Sequence, residues 1–355
     1  MPKLPVSRLR APALLALPLT LLFGGAACDS GEKKEGAETK EGAPKSTGPV
    51  QAGVEGGPTD ADMGPPQPIA PTEAHPFDAR DLLAMDRISS LALSPDEKSV
   101  VFVRRTTDLA ANKGRTDLWR LTLADGELRQ LTKDPASDFN PVWDPKGDKV
   151  YFLSTRSGSS QIWEVSPQGG EPTQVSRLPV DVGDLKISPT GTHFAFSAEV
   201  FVDCEDLACT ASRLEAAEAE QSSGTVYDEL FVRHWDTWKD HSYNHIFVGD
   251  LQQGGVENLV DVTKGLMTDV PAKPFSGMEE VTFTPDSKHV VYSAKAADNT
   301  QSWHTNFDLW QVPVAGGEAI NLTEKNLAWD SQPVFSDDGR YMAYAAMSRP
   351  VAESD

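Results

Sequence analysis

Cysteine is scarce in this 355-residue chain, and positive charge is scarce relative to negative. Only Cys28, Cys204 and Cys209 occur, which excludes a disulfide-stapled miniature fold and a four-cysteine zinc site. Lys and Arg number 32 against 53 Asp and Glu, a formal net charge of -21. A surface of that sign repels phosphate backbones, so no nucleic-acid partner is expected. No apolar run is long enough to cross a bilayer. The run from Ala11 to Phe23 falls short of the ~20 residues a spanning helix needs.

That short run has another reading. Lys3, Arg8 and Arg10 precede it, and the small residues Gly24, Gly25, Ala26 and Ala27 follow it up to Cys28. A basic start, an apolar stretch and a small-residue exit make residues 1–27 a signal peptide. The exit is also close to a bacterial lipobox, with Gly25 where a leucine is usual. Lipidation of Cys28 is therefore expected, and plain cleavage after Ala27 is the alternative. The expected location is exported, in the periplasm or cell envelope, with the membrane engaged only through a lipid anchor. Residues 28–76 are dominated by Gly, Glu, Lys, Pro, Ser and Thr. With almost no large apolar side chains to bury, they read as a disordered tether.

From about residue 86 the pattern changes to short β runs punctuated by turns. One phrase recurs: LALSPDEKSVVFVRR, PVWDPKGDKVYFLSTR, LKISPTGTHFAFSAEV, VTFTPDSKHVVYSAK and PVFSDDGRYMAYAAM. Each is strand, turn, strand. A second phrase follows in four of the five, running from Asp117-Leu118-Trp119 to Leu131-Thr132, Gln161-Ile162-Trp163 to Val175-Ser176, His245-Ile246-Phe247 to Val262-Thr263, and Asp308-Leu309-Trp310 to Leu322-Thr323. Glycine-bearing turns such as Asp125-Gly126 and Gly316-Gly317 separate its two strands. The turn prolines Pro95, Pro145, Pro189 and Pro285 are spaced by 50, 44 and 96 residues, the last gap being one repeat plus an insertion. Four-stranded units at this period are propeller blades, which bury their faces by stacking radially. The predicted fold is an all-β propeller over residues 77–355, with about four and a half blades. A helical insertion is expected at about 203–224 in the third, capped by Thr210 or Ser212. A closed ring needs outer strands in every blade and a contact between first and last. Neither is legible here, so a truncated portion of a longer parent is expected.

Cys204 and Cys209 lie five positions apart in VDCEDLACT. In an exported protein this pair favours a small loop disulfide, and a metal site would need further ligands. His234, Asp236, Asp240, His241 and His245 invite a metal reading, but no ligand geometry is defined by their spacing, and a hydrogen-bonded hairpin is favoured. Read as one strand, Phe231, Arg233, Trp235 and Thr237 share one face, and Val232, His234, Asp236 and Trp238 the other. No metal and no cofactor is expected. Trp119, Trp163 and Trp310 recur at one repeat position and read as blade core.

The stretch from Val200 to Asp250, with its cysteine loop, its charged helix and the FVRHWDTW segment of residues 231–238, resembles the matching part of bacterial dipeptidyl- and acylaminoacyl-peptidase-like members of the prolyl oligopeptidase family. The similarity extends over most of residues 80–350. The resemblance implies a propeller preceding an α/β-hydrolase domain whose Ser stands in a G-x-S-x-G elbow. No G-x-S-x-G occurs in this chain, so no catalytic residue carries over, and this chain by itself is expected to be inactive. The implied role is a non-catalytic propeller that gates and positions short peptides over a C-terminal hydrolase domain. The family also implies acidic propeller residues that hold a peptide's amino terminus. Glu215, Glu218 and Glu220 are candidates, with Arg233, His234, Trp235 and Asp236 in the substrate-facing segment. The competing reading is a stand-alone binding lipoprotein resembling the Tol-system propeller. A carbohydrate- or phytate-type propeller enzyme lacks an evident acid/base or calcium cluster.

Overall fold

The computed structural model describes residues 75–351, apart from 221–223, 225, 228–232, 235–236, 240, 253–254, 274–275 and 297–303. The expected leader, Cys28 and nearly all of the expected tether lie outside the described residues. A one-and-a-half-turn helix, α1 (Ala79–Ala84), leads in, and Asp78 and Asp81 close a capping box at its start.

Four four-stranded antiparallel sheets follow, then a two-stranded one. The first holds β1 (Arg87–Leu93), β2 (Ser99–Asp108), β3 (Lys113–Thr122) and β4 (Leu128–Gln130). The second holds β5 (Asp138–Trp143), β6 (Val150–Ser154), β7 (Gln161–Val165) and β8 (Thr173–Gln174). The third is β9 (Leu185–Ile187), β10 (His193–Phe201), β13 (Ser242–Gln252) and β14 (Gly255–Asp261), with α2 (Leu207–Ala219) and the hairpin β11 (Arg233–His234) and β12 (Thr237–Trp238) inserted between β10 and β13. The fourth is β15 (Val281–Phe283), β16 (His289–Ala294), β17 (Asp308–Pro313) and β18 (Ile320–Asn321). A hairpin of β19 (Asp330–Phe335) and β20 (Met342–Ala346) ends the series. This is the expected partial propeller: four blades, half of a fifth, and the insertion in the third.

The repeated phrases fold as they do for local reasons. In the first turn of each blade the fourth residue has positive φ: Glu97 (57°), Gly147 (78°), Gly191 (69°), Ser287 (58°) and Gly339 (67°). Glycine adopts that conformation freely, which explains three of the five. The leading hydroxyl completes the turn. Ser94 Oγ donates to Asp96 (2.6 Å) and accepts from the Ser99 amide (2.9 Å), and Thr284 and Ser336 repeat the pattern. These turns also stack from blade to blade. A Cβ on Gly191 would sit 3.3 Å from Pro145, and one on Gly339 3.4 Å from Pro285.

The second phrase has an equally local cause. The hydroxyls of Thr132, Ser176, Thr263 and Thr323 accept from the amides of Leu118, Ile162, Ile246 and Leu309 at 2.8–3.0 Å. Each blade's outer strand is thereby pinned to its third strand, and a buried N–H is satisfied.

The core lies between consecutive sheets. Val101, Leu118, Val150 and Phe152 fill the first boundary, Leu153, Ile162, Phe194 and Phe196 the second, and Ile246, Val281, Val290 and Tyr292 the third. Tyr151 meets Phe194 edge to face at 4.8 Å. Burying each large apolar side chain contributes about 1.5–3 kcal/mol. Trp163 and Trp310 pack half-buried against these clusters, while Trp119, also half-buried, carries Arg104 over its ring.

Two local expectations are corrected. Asp206, not Thr210 or Ser212, caps α2, accepting from the Cys209 amide at 2.9 Å. The helix starts earlier than its composition suggests, and Thr210 is buried within it. The RHWDTW segment is not a single strand. Arg233 pairs with Trp238 and His234 with Thr237, so these four residues form two short antiparallel strands, and Phe231, Val232, Trp235 and Asp236 lie outside the described residues.

Candidate functional site

The innermost strands of the first three blades, β1, β5 and β9, and the turn that leads into β15 line a cleft of about 400 Å³. Ser90 and Leu91 come from the first blade, Asn140 to Val142 from the second, Asp184 to Lys186 from the third, and Met278 and Glu279 from the turn entering the fourth. Two of these strands reach the cleft through a bulge. The pairing of β1 with β2 slips between Ser89 and Ala92, and that of β5 with β6 between Phe139 and Val142. Ser90 and Asn140 sit at the slips with φ of 50°. A bulge turns a strand and re-aims its side chains.

The cleft is polar and carries both signs of charge. Lys186 donates from Nζ to the carbonyls of Met278 (2.9 Å) and Val281, tying the third blade to the fourth. Burial pulls the Lys186 ammonium below its usual range, partly offset by Glu279. Asp184 accepts from Asn140 Nδ2 at 3.4 Å. Burial, with the Glu279 charge beside it, pushes the Asp184 carboxyl up. Behind them Glu280 is 5% exposed, accepts from the Gln332 amide at 3.2 Å, and is raised by burial. Such a cleft suits a small polar ligand carrying a positive group. Its lining holds neither cysteine nor histidine, so it offers no nucleophile with a neighbouring imidazole base.

The residues singled out in the sequence are elsewhere. Cys204 and Cys209 are joined, with Cα atoms 5.5 Å apart, tying the loop after β10 to the first turn of α2. Glu215, Glu218 and Glu220 are exposed along α2 and at its end. Arg213, on the same helix, pairs with Asp203 at 2.6 Å. Arg233 is exposed, with its guanidinium 5.3 Å from the Trp238 ring, and Tyr227 stacks on Trp238 at 6.0 Å. Trp235, Asp236 and Asp240 lie outside the described residues, as does the His234 side chain. Of the histidines in the metal reading, His245 is buried, held by Asp261 (2.7 Å) and the Leu266 carbonyl (2.9 Å), as a structural side chain is. Elsewhere, His75, Asp78 and Asp81 bring ligand atoms within 4.8 Å of one another at the start of α1. There Asp78 and Asp81 are already engaged in capping the helix.

Sequence reasoning missed Asn140, Asp184, Lys186 and Glu279. One signal was available. An acid stands at the entrance of four innermost strands: Asp138, Asp184, Glu280 and Asp330. It precedes the first turn residue by six positions in the second and fifth blades and by four in the third and fourth. Bulges with positive φ at Asn140 and Gln332 accompany the longer spacing and hide the repeat.

Known proteins resemble this chain over the same region. The model of the PD40 family, the TolB beta propeller domain, matches residues 85–229. A dipeptidyl-peptidase 5 from Porphyromonas endodontalis is 29% identical over 275 residues, covering 77% of this chain and 39% of that protein. Its namesake from Porphyromonas gingivalis is 27% identical with the same coverage. The chain thus spans about two fifths of the length of these relatives. Among solved structures, an acylaminoacyl peptidase of Pyrococcus horikoshii overlaps 69% of this chain and 33% of its own, at 15% identity and a TM-score of 0.49.

Proposed function

We propose, from the premise that this chain is similar to the propeller of a prolyl-oligopeptidase-family serine peptidase, that it is the non-catalytic portion of such an enzyme and gates and positions short peptides over a hydrolase domain. The observation that carries this reading is the extent of the sequence match, which takes in most of the folded chain but only about two fifths of each relative. A propeller over an active site excludes folded proteins and bulk water, which favours correctly positioned peptides. The acidic lining at Asp184 and Glu279 supports attraction of a peptide ammonium into the cleft, and the exposed Glu215 and Glu218 are a second candidate for the same group. In this reading the chain is exported and held at the envelope by lipid on Cys28.

The test is direct. Sequencing beyond the codon for Asp355 is expected to find an open frame running through further strands to a G-x-S-x-G elbow. The purified 355-residue chain is expected to leave dipeptidyl and acyl-peptide reporters uncleaved, and the extended protein to cleave them. A stop codon followed by an unrelated gene, with a monodisperse chain that captures envelope proteins, supports the binding-lipoprotein reading instead. For the anchor, Cys28→Ser is expected to move the protein from the membrane to the soluble fraction.

A further inference from the structure

At each blade boundary two positions recur: the residue just before the buried Leu118, Ile162, Ile246 or Leu309 of one blade's third strand, and the acid at the entrance of the innermost strand of the next. The pairs are Asp117 with Asp138, Gln161 with Asp184, His245 with Glu280, and Asp308 with Asp330. At the middle two boundaries the first member is a side chain with both ends satisfied. Gln161 Nε2 donates to the carbonyls of Leu178 and Val180 at 3.1 Å, and its Oε1 accepts from Ser176 and from the Leu178 amide at 2.8 Å. His245 is bonded through both ring nitrogens.

The outer two boundaries differ, because there the first member is a carboxyl group. One oxygen of Asp117 and one of Asp308 are buried without a hydrogen-bond partner, and so is the second oxygen of Asp330, a residue with no exposed surface. The other oxygens are used. Asp308 accepts from Asn321 (2.8 Å) and Asp330 from Asn326 (2.7 Å). Strand pairing fixes their proximity, since Phe307 bridges Trp329 and the Asp330 amide donates to the Phe307 carbonyl at 2.8 Å. At the first boundary both oxygens of Asp138 accept from one nitrogen of Arg156 at 2.7 Å, although burial still raises that carboxyl, and the oxygen without a donor belongs to Asp117.

A buried acceptor without a donor costs about 1–3 kcal/mol, and two carboxylates sharing a buried site do not both ionise readily. One proton per pair removes both penalties, since a protonated carboxyl donates where a carboxylate only accepts. We propose that Asp117–Asp138 and Asp308–Asp330 are inter-blade carboxyl pairs, each holding one proton, that adhere neighbouring blades in mildly acidic solution and loosen as the pH rises. The remaining groups around them are consistent. Arg115, Gln130 and Thr132 act on Asp117, and Ser154, Arg156 and Thr132 on Asp138, without cancelling the effect of burial. Asp117 is pushed up to about 6 by burial first and the Asp138 charge second. Thr323 and Asn326 temper Asp330, which burial raises, while Tyr344 senses its charge and Lys295 stands over the Phe307 ring.

The sign follows from linkage. A carboxyl raised in the folded state stabilises it fully below the unfolded value and loses that contribution as the pH climbs through the folded one. For Asp117 the local opening constant is expected to rise about tenfold between pH 5 and pH 8. Hydrogen exchange by mass spectrometry on the full 355-residue chain, corrected for the intrinsic pH effect, reads this at peptides spanning residues 114–143 and 305–335. Asp117→Asn and Asp330→Asn supply a permanent donor. Each is expected to flatten the profile at its own boundary and leave the other unchanged. An unaltered slope in both variants overturns the proposal. Protection at pH 8 that chelators remove and calcium restores also overturns it, because a cation then occupies the pair. Should a variant fail to fold, the infrared carbonyl band of protonated carboxyl in the unsubstituted chain decides. A band titrating away near pH 6 supports the shared proton, and its absence at pH 5 overturns it.

Discussion

The boundaries between blades and the two end sheets are built from the same repeat, yet their apolar residues meet opposite fates. At the second boundary Phe194, Phe196, Leu153 and Ile162 are fully buried. On the first sheet Ile88, Leu91 and Leu93 are 53–71% exposed, and on the last hairpin Val334 and Tyr341 are 62% and 65% exposed. A blade strand therefore carries apolar residues whether or not a neighbour covers them, and burial comes from stacking rather than from the blade alone. Exposed apolar surface of this kind marks an interaction site or an aggregation hazard.

The comparison can be broken most forcefully in the core. Phe196→Ala is expected to lower stability by about 3–5 kcal/mol, read by denaturant unfolding, whereas Leu91→Ser on the end sheet is expected to leave stability nearly unchanged and to reduce self-association in sedimentation. A large loss from Leu91→Ser would mean that the first sheet is covered in solution.

Removing Arg156 tests the polar side of the same contrast. Asp138 has no exposed surface and Arg156 is its cationic partner, so Arg156→Ala is expected to cost about 3–5 kcal/mol by stranding a buried charge. The loss should shrink at acid pH, where Asp138 takes a proton. Arg340→Ala removes an exposed pair with Asp338 and is expected to change nothing measurable.

Smaller effects sharpen the view of the repeat itself. Thr323→Val leaves the Leu309 amide without its acceptor, at an expected cost of about 1–3 kcal/mol. Gly191→Ala forces a side chain into positive φ beside Pro145 and should cost about 1–2 kcal/mol. Glu97 already holds that conformation, with φ of 57°, and Glu97→Gly is expected to be neutral or slightly stabilising.

The blades were legible because their signals are local. Ser94-Pro95-Asp96 encodes a turn within four residues, and Leu322-Thr323 encodes the end of an outer strand through one hydroxyl. The insertion was legible as a helix, while its cap was not. Asp206 lies upstream of the helix-forming composition, and caps depend on backbone dihedrals that composition does not report. The RHWDTW segment misled for a similar reason, since alternation along one strand and a tight hairpin place the same residues in different company. The cleft was least legible. Asn140, Asp184, Lys186 and Glu279 come from three blades, and the bulge at Asn140 shifts the second blade's spacing relative to the third and fourth.

The amino-acid sequence by itself determined the strand-turn-strand units, their number and the place of the insertion, because turn chemistry and alternation act over a few residues. Tertiary structure alone decided which carboxyls are buried at the blade boundaries, which apolar faces are covered and where the polar cleft opens. Those are properties of strands brought together from distant repeats, and the desolvation that gives Asp117 and Asp184 their character exists only once the sheets are stacked.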